Sequence, residues 1–343
     1  MRLPPFFNRT VALSIAGMGF IALALLYFEG AFERKPWGAK HFPNVVLTTQ
    51  HGTKMRLYDD LIKGKAVAIN TFFAGCGDVC PLGTAKMLEL QRLLGDRVGR
   101  DIFFYSISVD PFNDTTQAMK AYADRFDVGP GWLFLTGSEK DVQLATRKLG
   151  LGTLEATAPR DNHSTTLMVG HEPSGQWMKN SVTDNPRFVA GSIQTFLGWP
   201  DRLQSRKYAE ATPLQVTNGQ FLFQNGCMAC HSIGGGDRIG PDLLGVTERR
   251  QRGWLEKFVL VPDEVLAAGD PLANDLLKRY KGVRMPNLGL SREEVGDILA
   301  HIETRTAEAR DRQAQVEARS AQPGGATGPA VVPTLTIQQE TKQ

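Results

Sequence analysis

The sequence predicts two folds in series, a layered α/β domain and a smaller all-α domain, behind an N-terminal transmembrane helix. Three observations predict this. Between residues 43 and 199, short apolar runs alternate with stretches of helical periodicity. From 214 onward only helical patterns occur. Near the start, 18 consecutive residues, 11–28, carry no charge, which is at the short end of what crosses a bilayer as a helix.

Arg2 and Arg9 precede the apolar run and Glu29 and Glu33 follow it. That asymmetry, though diluted by Arg34 and Lys35, favours a cytoplasmic N-terminus at 1–10. A cleaved signal peptide is the competing reading, but no polar segment with a small-x-small cleavage site follows. An uncleaved anchor and a linker at 29–42 are therefore expected. In the α/β domain, 43–199, the runs 66–73 and 102–109 have the composition of buried central strands. Met87, Leu90, Leu93 and Leu94 recur at helical spacing between them. Asp114 and Gln117 have the spacing of a capping box opening another helix, with Ala118, Tyr122 and Phe126 on one face.

A polar linker is expected at 200–213 and the all-α domain at 214–304, with helices near 217–226 and 292–304. Ser291 and Glu294 form a second capping box, and Val295, Ile298, Leu299 and Ile302 an apolar stripe. Residues 305–343 are expected to be a disordered tail on the prolines, glycines and polar residues of 322–343, with continuation of the helix beyond Ala307 as the alternative.

Composition narrows the function. The 343 residues are 42% hydrophobic and 22% charged, so substantial cores can form. The net charge of +3, from 39 basic and 36 acidic side chains, argues against a dedicated nucleic-acid binder. The four cysteines form two close pairs, Cys76/Cys80 and Cys227/Cys230. That is too few for a disulfide-stapled scaffold and suits metal, haem or redox chemistry.

Cys227-Met-Ala-Cys230-His231 has the C-x-x-C-H spacing of covalent haem attachment. Two thiols add to the vinyl groups of the porphyrin, and the adjacent histidine lies under the iron. With Gly240-Pro241-Asp242-Leu243 and Arg284-Met285-Pro286, this segment resembles a class I cytochrome c over about 214–304. The resemblance implies that the Pro241 carbonyl accepts a hydrogen bond from proximal His231. It also implies one covalent haem c with Met285 as its distal ligand. His301 is the rival, though its helical position suits packing or solvent contact.

Cys76-Gly-Asp-Val-Cys80-Pro81 follows directly on the 66–73 strand, beyond the strand end where α/β folds place their chemistry. Two thiolates so spaced can hold a soft metal ion or close a disulfide. Together with Ser108-Val109-Asp110-Pro111, Asp114-Thr115 and Asp161-Asn162-His163-Ser164, the pair resembles the Sco/SenC family. The resemblance spans about 43–199 and implies a thioredoxin-like fold binding one copper through Cys76, Cys80 and His163. It also implies assistance to the copper site, CuA, of cytochrome oxidase. His163 and His171 flank an expected strand and stand roughly 26 Å apart if it is extended. Both cannot reach one metal, and the strand's start is the end expected near the cysteines. His41, His51 and His171 are read as ordinary surface or loop histidines. Asp78 and Asp110 are compatible with hydrogen bonding near a metal, and Asp110 equally with turn chemistry before Pro111.

The sequence thus points to a copper-handling assembly factor with a fused haem domain for electron transfer. It is expected to be held by one N-terminal anchor in the cell inner membrane, with both domains periplasmic. The partners expected are an oxidase subunit carrying CuA or another copper enzyme, and electron-transfer proteins. A thiol-disulfide oxidoreductase using Cys76 and Cys80 on a partner's cysteines, and an electron carrier docked to a terminal oxidase, remain the alternatives.

Overall fold

A computed structural model describes residues 37–76, 79–152, 164–200 and 216–320. The expected transmembrane helix, almost all of the 200–213 linker, Asp78 and His163 lie outside these residues. Among the described residues no helix is long and apolar enough to cross a membrane. The chain divides into two compact units, Met1–Thr212 with Lys281–Pro286, and Pro213–Tyr280 with Asn287–Gln343.

The first unit is built on a seven-stranded sheet. Its strands are β1 (Val46–Thr49), β2 (Lys54–Arg56), β3 (Ala66–Phe72), β4 (Ile102–Ser108), β5 (Trp132–Thr136), β6 (Thr166–His171) and β7 (Gln176–Ser181), in the order β2-β1-β5-β4-β3-β6-β7. The three central strands β5, β4 and β3 run parallel, and β1 and β6 join them antiparallel. All seven residues of β3 are buried, because helices cover both faces of a parallel sheet.

The helices are α1 (Val79–Leu94), α2 (Thr116–Arg125), α3 (Glu139–Lys148) and α4 (Pro186–Phe196). On one face Val67, Ile69, Tyr105, Ile107 and Leu135 pack with Leu57, Leu61 and Ile62 of a helical turn and with Val142, Ala145 and Leu149. Each such aliphatic side chain stabilises the fold by about 1.5–3 kcal/mol when fully buried. On the other, Phe72 meets Tyr122 of α2 at 5.4 Å and Phe134 at 4.8 Å between ring centroids. The expected strands at 66–73 and 102–109 are β3 and β4, and the Met87, Leu90 and Leu94 face is the buried side of α1.

One expected cap is corrected. The N-cap of α2 is Thr115, whose hydroxyl accepts from the Ala118 N–H at 3.1 Å. Asp114 does not cap the helix; its carboxylate turns inward.

The second unit is helical: α5 (Asn218–Leu222), extended by a wider helical turn Phe223–Cys227, then α6 (Val246–Arg249), α7 (Arg252–Leu260), α8 (Pro262–Ala267), α9 (Pro271–Arg279) and α10 (Arg292–Ser320). The capping box at Ser291 forms as expected: Ser291 N–H donates to Glu294 at 2.7 Å and Glu294 N–H to the Ser291 hydroxyl at 3.2 Å. Val295, Ile298, Leu299 and Ile302 are buried with Phe223 and Leu255. The disordered tail expected from 305 is corrected, since α10 runs to Ser320. Residues 307–318 are rich in alanine, glutamate, glutamine and arginine, all strong helix formers. The Arg310 guanidinium also grips Glu248 through both carboxylate oxygens.

Helices α5 and α10 cross so closely that a methyl group on Gly219 would overlap the Asp297 carbonyl. Gly219→Ala is therefore expected to destabilise this unit by about 1–3 kcal/mol, the usual cost of forcing atoms into a filled contact. Denaturant unfolding followed at the helical signal checks this; an unchanged midpoint would show that the crossing can yield.

Candidate metal centres

The first candidate centre lies beyond the C-terminal end of β3. The chain leaves the sheet at Phe73, turns with Cys76 N–H donating to the Phe73 carbonyl at 3.2 Å, and enters α1 carrying Cys80. The Cys76 sulfur accepts from the Cys80 N–H at 3.4 Å, so it sits at a helix N-terminus, where exposed N–H groups favour negative charge. Cys76 is half-buried and Cys80 buried. Hydrogen bonding with Cys76, and then burial, push the Cys80 thiol well above its ordinary pKa. Two soft sulfurs facing one another, one accessible and one shielded, are a donor set that suits a soft cation.

The carboxylate of Asp114, missed as a site residue in the sequence, fixes the start of this loop. It accepts from the Ala74 N–H at 3.1 and 3.2 Å through its two oxygens, and from the Ser108 hydroxyl at 2.5 Å. The adjacent pair Asp114-Thr115 offers two caps for one helix, and that redundancy was the signal that one of them is available for other use. Asp110 behaves as a turn residue, accepting from the Asn113 side chain at 2.8 Å, with its carbonyl accepting from the Asn113 and Asp114 N–H groups.

His163 lies outside the described residues, but its neighbour is placed. The Thr71 hydroxyl donates to the Ser164 carbonyl at 3.1 Å, at the cysteine end of β3. The antiparallel register of β6 sets His171 opposite Ala66, at the other end. There the His171 ring bonds the Ser174 hydroxyl at 2.8 Å, and His41 bonds the Lys148 carbonyl at 3.0 Å. Among the described residues no three histidine, cysteine or acidic side chains form a metal-holding group.

The second candidate centre is the Cys227–His231 turn. His231 N–H and Cys230 N–H both donate to the Cys227 carbonyl, at 2.9 and 3.1 Å. The His231 Nδ1 donates to the Pro241 carbonyl at 2.9 Å, which leaves Nε2 with the lone pair. Desolvation lowers the His231 pKa against the opposing pull of the Pro241 bond, so the ring is held neutral. A Cβ on Gly240 would stand 2.6 Å from the His231 ring; glycine there is the cradle in which the imidazole rests. Cys227 and Met228 are partly buried and pack, with Leu222, Ile233, Leu243 and Trp254, against the core of Phe223, Leu255, Val295 and Ile298. A fixed imidazole and two thiols beside an apolar core fit a covalently tethered haem.

Asp242 organises the loop that carries Pro241, a role with no counterpart in the sequence reading. Its oxygens accept from Gly234 N–H and Leu244 N–H at 2.8 Å, the Ser232 hydroxyl at 3.0 Å and Gly236 N–H at 2.5 Å. Burial pushes its pKa up, yet these donors outweigh burial and hold it below the usual carboxylate range. The glycine-rich run 234–236, whose backbone donors need an acceptor, was the available signal. Met285 is half-buried in the segment Lys281–Pro286, which groups with the first unit. His301 meets the Phe223 ring at 5.5 Å and lines the same cavity as His231.

Comparison with known proteins gives the same two parts. The SCO1/SenC family model matches residues 39–196 and the Cytochrome c family model residues 216–306. A SCO1 protein homolog of Bacillus subtilis is 30% identical over 132 residues, 36% of this chain and 67% of that protein. A SCO2-like protein of Rickettsia conorii is 29% identical over 133 residues, 37% of this chain. The match spans 62% of that relative's length. A solved SCO1/SenC family lipoprotein from Bacillus anthracis is 25% identical, covers 47% of this chain and 97% of its own, and superposes with a TM-score of 0.40.

The Asp242 loop can be tested by pH. Folding holds this carboxyl below its unfolded pKa, so its contribution to stability is complete above the unfolded value and is lost as the pH falls through the folded one. Asp242→Asn is expected to flatten the acid limb of the stability curve over that window, followed by denaturant unfolding at the helical signal. An acid limb as steep as in the wild type would remove Asp242 from the account.

Proposed function

From a chain that belongs to the SCO1/SenC family and carries a cytochrome c domain behind that part, we propose a copper-handling assembly factor. Its cargo is one copper ion, held by Cys76, Cys80 and His163, and its recipient is the CuA-bearing subunit of a cytochrome oxidase or another copper enzyme. The observation that carries this reading is the convergence of two cysteine sulfurs at the start of α1. The backbone next to His163 is hydrogen-bonded to Thr71, at the same end of β3. Cu(I) is satisfied by two thiolates, whereas Cu(II) calls for a harder nitrogen donor beside them.

In the second domain Cys227 and Cys230 would tether one haem c, and His231 and Met285 would hold its iron. When bound, the haem would supply one-electron exchange. The protein's part is to hold His231 neutral and oriented through Pro241. Residues 11–28 anchor the chain in the inner membrane with both domains in the periplasm, where covalent haem attachment takes place in bacteria.

A second reading rests on the asymmetry of the thiols. An accessible Cys76 at a helix N-terminus beside a buried Cys80 is also the arrangement of an attacking and a resolving thiol. The two readings differ in copper stoichiometry. The copper reading expects one copper per chain, lost in Cys76→Ser and Cys80→Ser. His163→Ala should weaken Cu(II) about tenfold or more, the scale of one lost ligand interaction, and Cu(I) less, while His171→Ala leaves both intact. Metal titration with sulfur-to-copper absorption checks this. A chain that takes up no copper but reduces a partner's disulfide would establish the second reading instead.

For the haem, acid-acetone extraction should leave the haem on the wild-type chain and none on Cys227→Ser/Cys230→Ser. Met285→Ala should keep the haem but lower its potential, since methionine ligation raises it. An unchanged potential and spectrum would exclude Met285.

A further inference from the structure

Asp114 is a carboxylate only 2% exposed, placed where a helix cap would stand yet not capping. Every group aimed at its oxygens is a donor: the Ala74 N–H reaches both, and the Ser108 hydroxyl one. The Ser108 hydroxyl is committed in turn, accepting from the Asp110 N–H at 3.0 Å. Burial raises the Asp114 pKa, and the bonds from Ser108 and Ala74 work against that rise. These contacts join the ends of two strands. Val109 N–H still pairs with the Phe72 carbonyl at 2.9 Å, so β3 and β4 stay registered up to the residue before Phe73. Beyond that point the chain no longer follows the sheet, and Ala74, two residues before Cys76, is held by Asp114.

We propose that Asp114 is the positioning residue of the thiol site: it sets the direction in which the chain leaves β3 and so places Cys76. The inference rests on the copper reading for its purpose and not for its geometry. Loss of Asp114 releases the chain at Ala74, two residues before Cys76, and leaves the Cys76 sulfur more open to attack.

The test uses the full chain with haem attached, reduced and stripped of copper. The alkylation rate of Cys76 by iodoacetamide is read peptide by peptide in wild type, Asp114→Asn, Asp114→Ala and Thr115→Ala. Asp114→Asn keeps size and shape but presents an amide donor where two donors already point. Thr115→Ala removes the true cap one residue away and controls for general loosening. Cys76 in both Asp114 variants should alkylate roughly tenfold faster, the ratio that corresponds to loss of one hydrogen bond, while Thr115→Ala keeps the wild-type rate. The copper-loaded Asp114→Asn chain should also show a displaced sulfur-to-copper absorption band. A folded Asp114→Asn chain with wild-type alkylation and a wild-type band would overturn the proposal. So would an equal acceleration in Thr115→Ala. A wild-type chain that takes no copper, with Asp114→Asn still accelerating Cys76, would leave the positioning role standing and overturn the copper reading alone.

Discussion

The register of β3 with its two neighbours is the constraint on which the first unit depends. Parallel pairing sets Phe72 beside Ser108, and antiparallel pairing sets Ile69 beside Met168. A shift of one residue would turn Val67 and Ile69 out of their core and bring Ala68 and Asn70 in. The fully buried β3 forbids that shift, because both faces are packed. With the register fixed, three separate segments arrive at one end of the sheet: the cysteine loop after β3, the 109–114 turn after β4 and the backbone before β6. The thiol site is therefore a by-product of strand order, with its chemistry carried by loops and its precision by the sheet.

The second unit reaches precision by a different route. It has no sheet, and its short helices have little intrinsic stability in isolation. Close approach at Gly219 locks α5 to α10, and a single carboxylate, Asp242, gathers four donors from the loop between His231 and Leu244. Pro241 lies inside that loop, so the orientation of the His231 ring is inherited from a carboxylate that never touches it.

Much of this was legible in the sequence. The apolar runs gave β3 and β4 because a doubly covered parallel strand leaves few polar positions, and the Ser291/Glu294 cap and the α10 stripe read directly as helix signals. The bond from His231 to Pro241 was implied by motif resemblance and is present at 2.9 Å. What the sequence did not disclose was the destination of side chains with several equivalent uses. Asp114 and Thr115 were both competent caps, and only the depth of the β4 end decided between them. Asp242 sat unremarked within a motif because its partners are backbone groups, which have no signature of their own. The end of α10 was left open, because helix propensity alone is a weak prior against a polar composition.

The extra length of α10 has a mechanical side. The grip of Arg310 on Glu248 fastens it, and residues 311–318 are exposed around their whole circumference. At 1.5 Å per residue, Ser320 stands about 15 Å along the axis from that fastening. The helix is thus a stand-off: whatever is joined to its far end, an affinity handle or a fluorophore included, is carried clear of the Cys227–His231 turn and can be interrogated without crowding it.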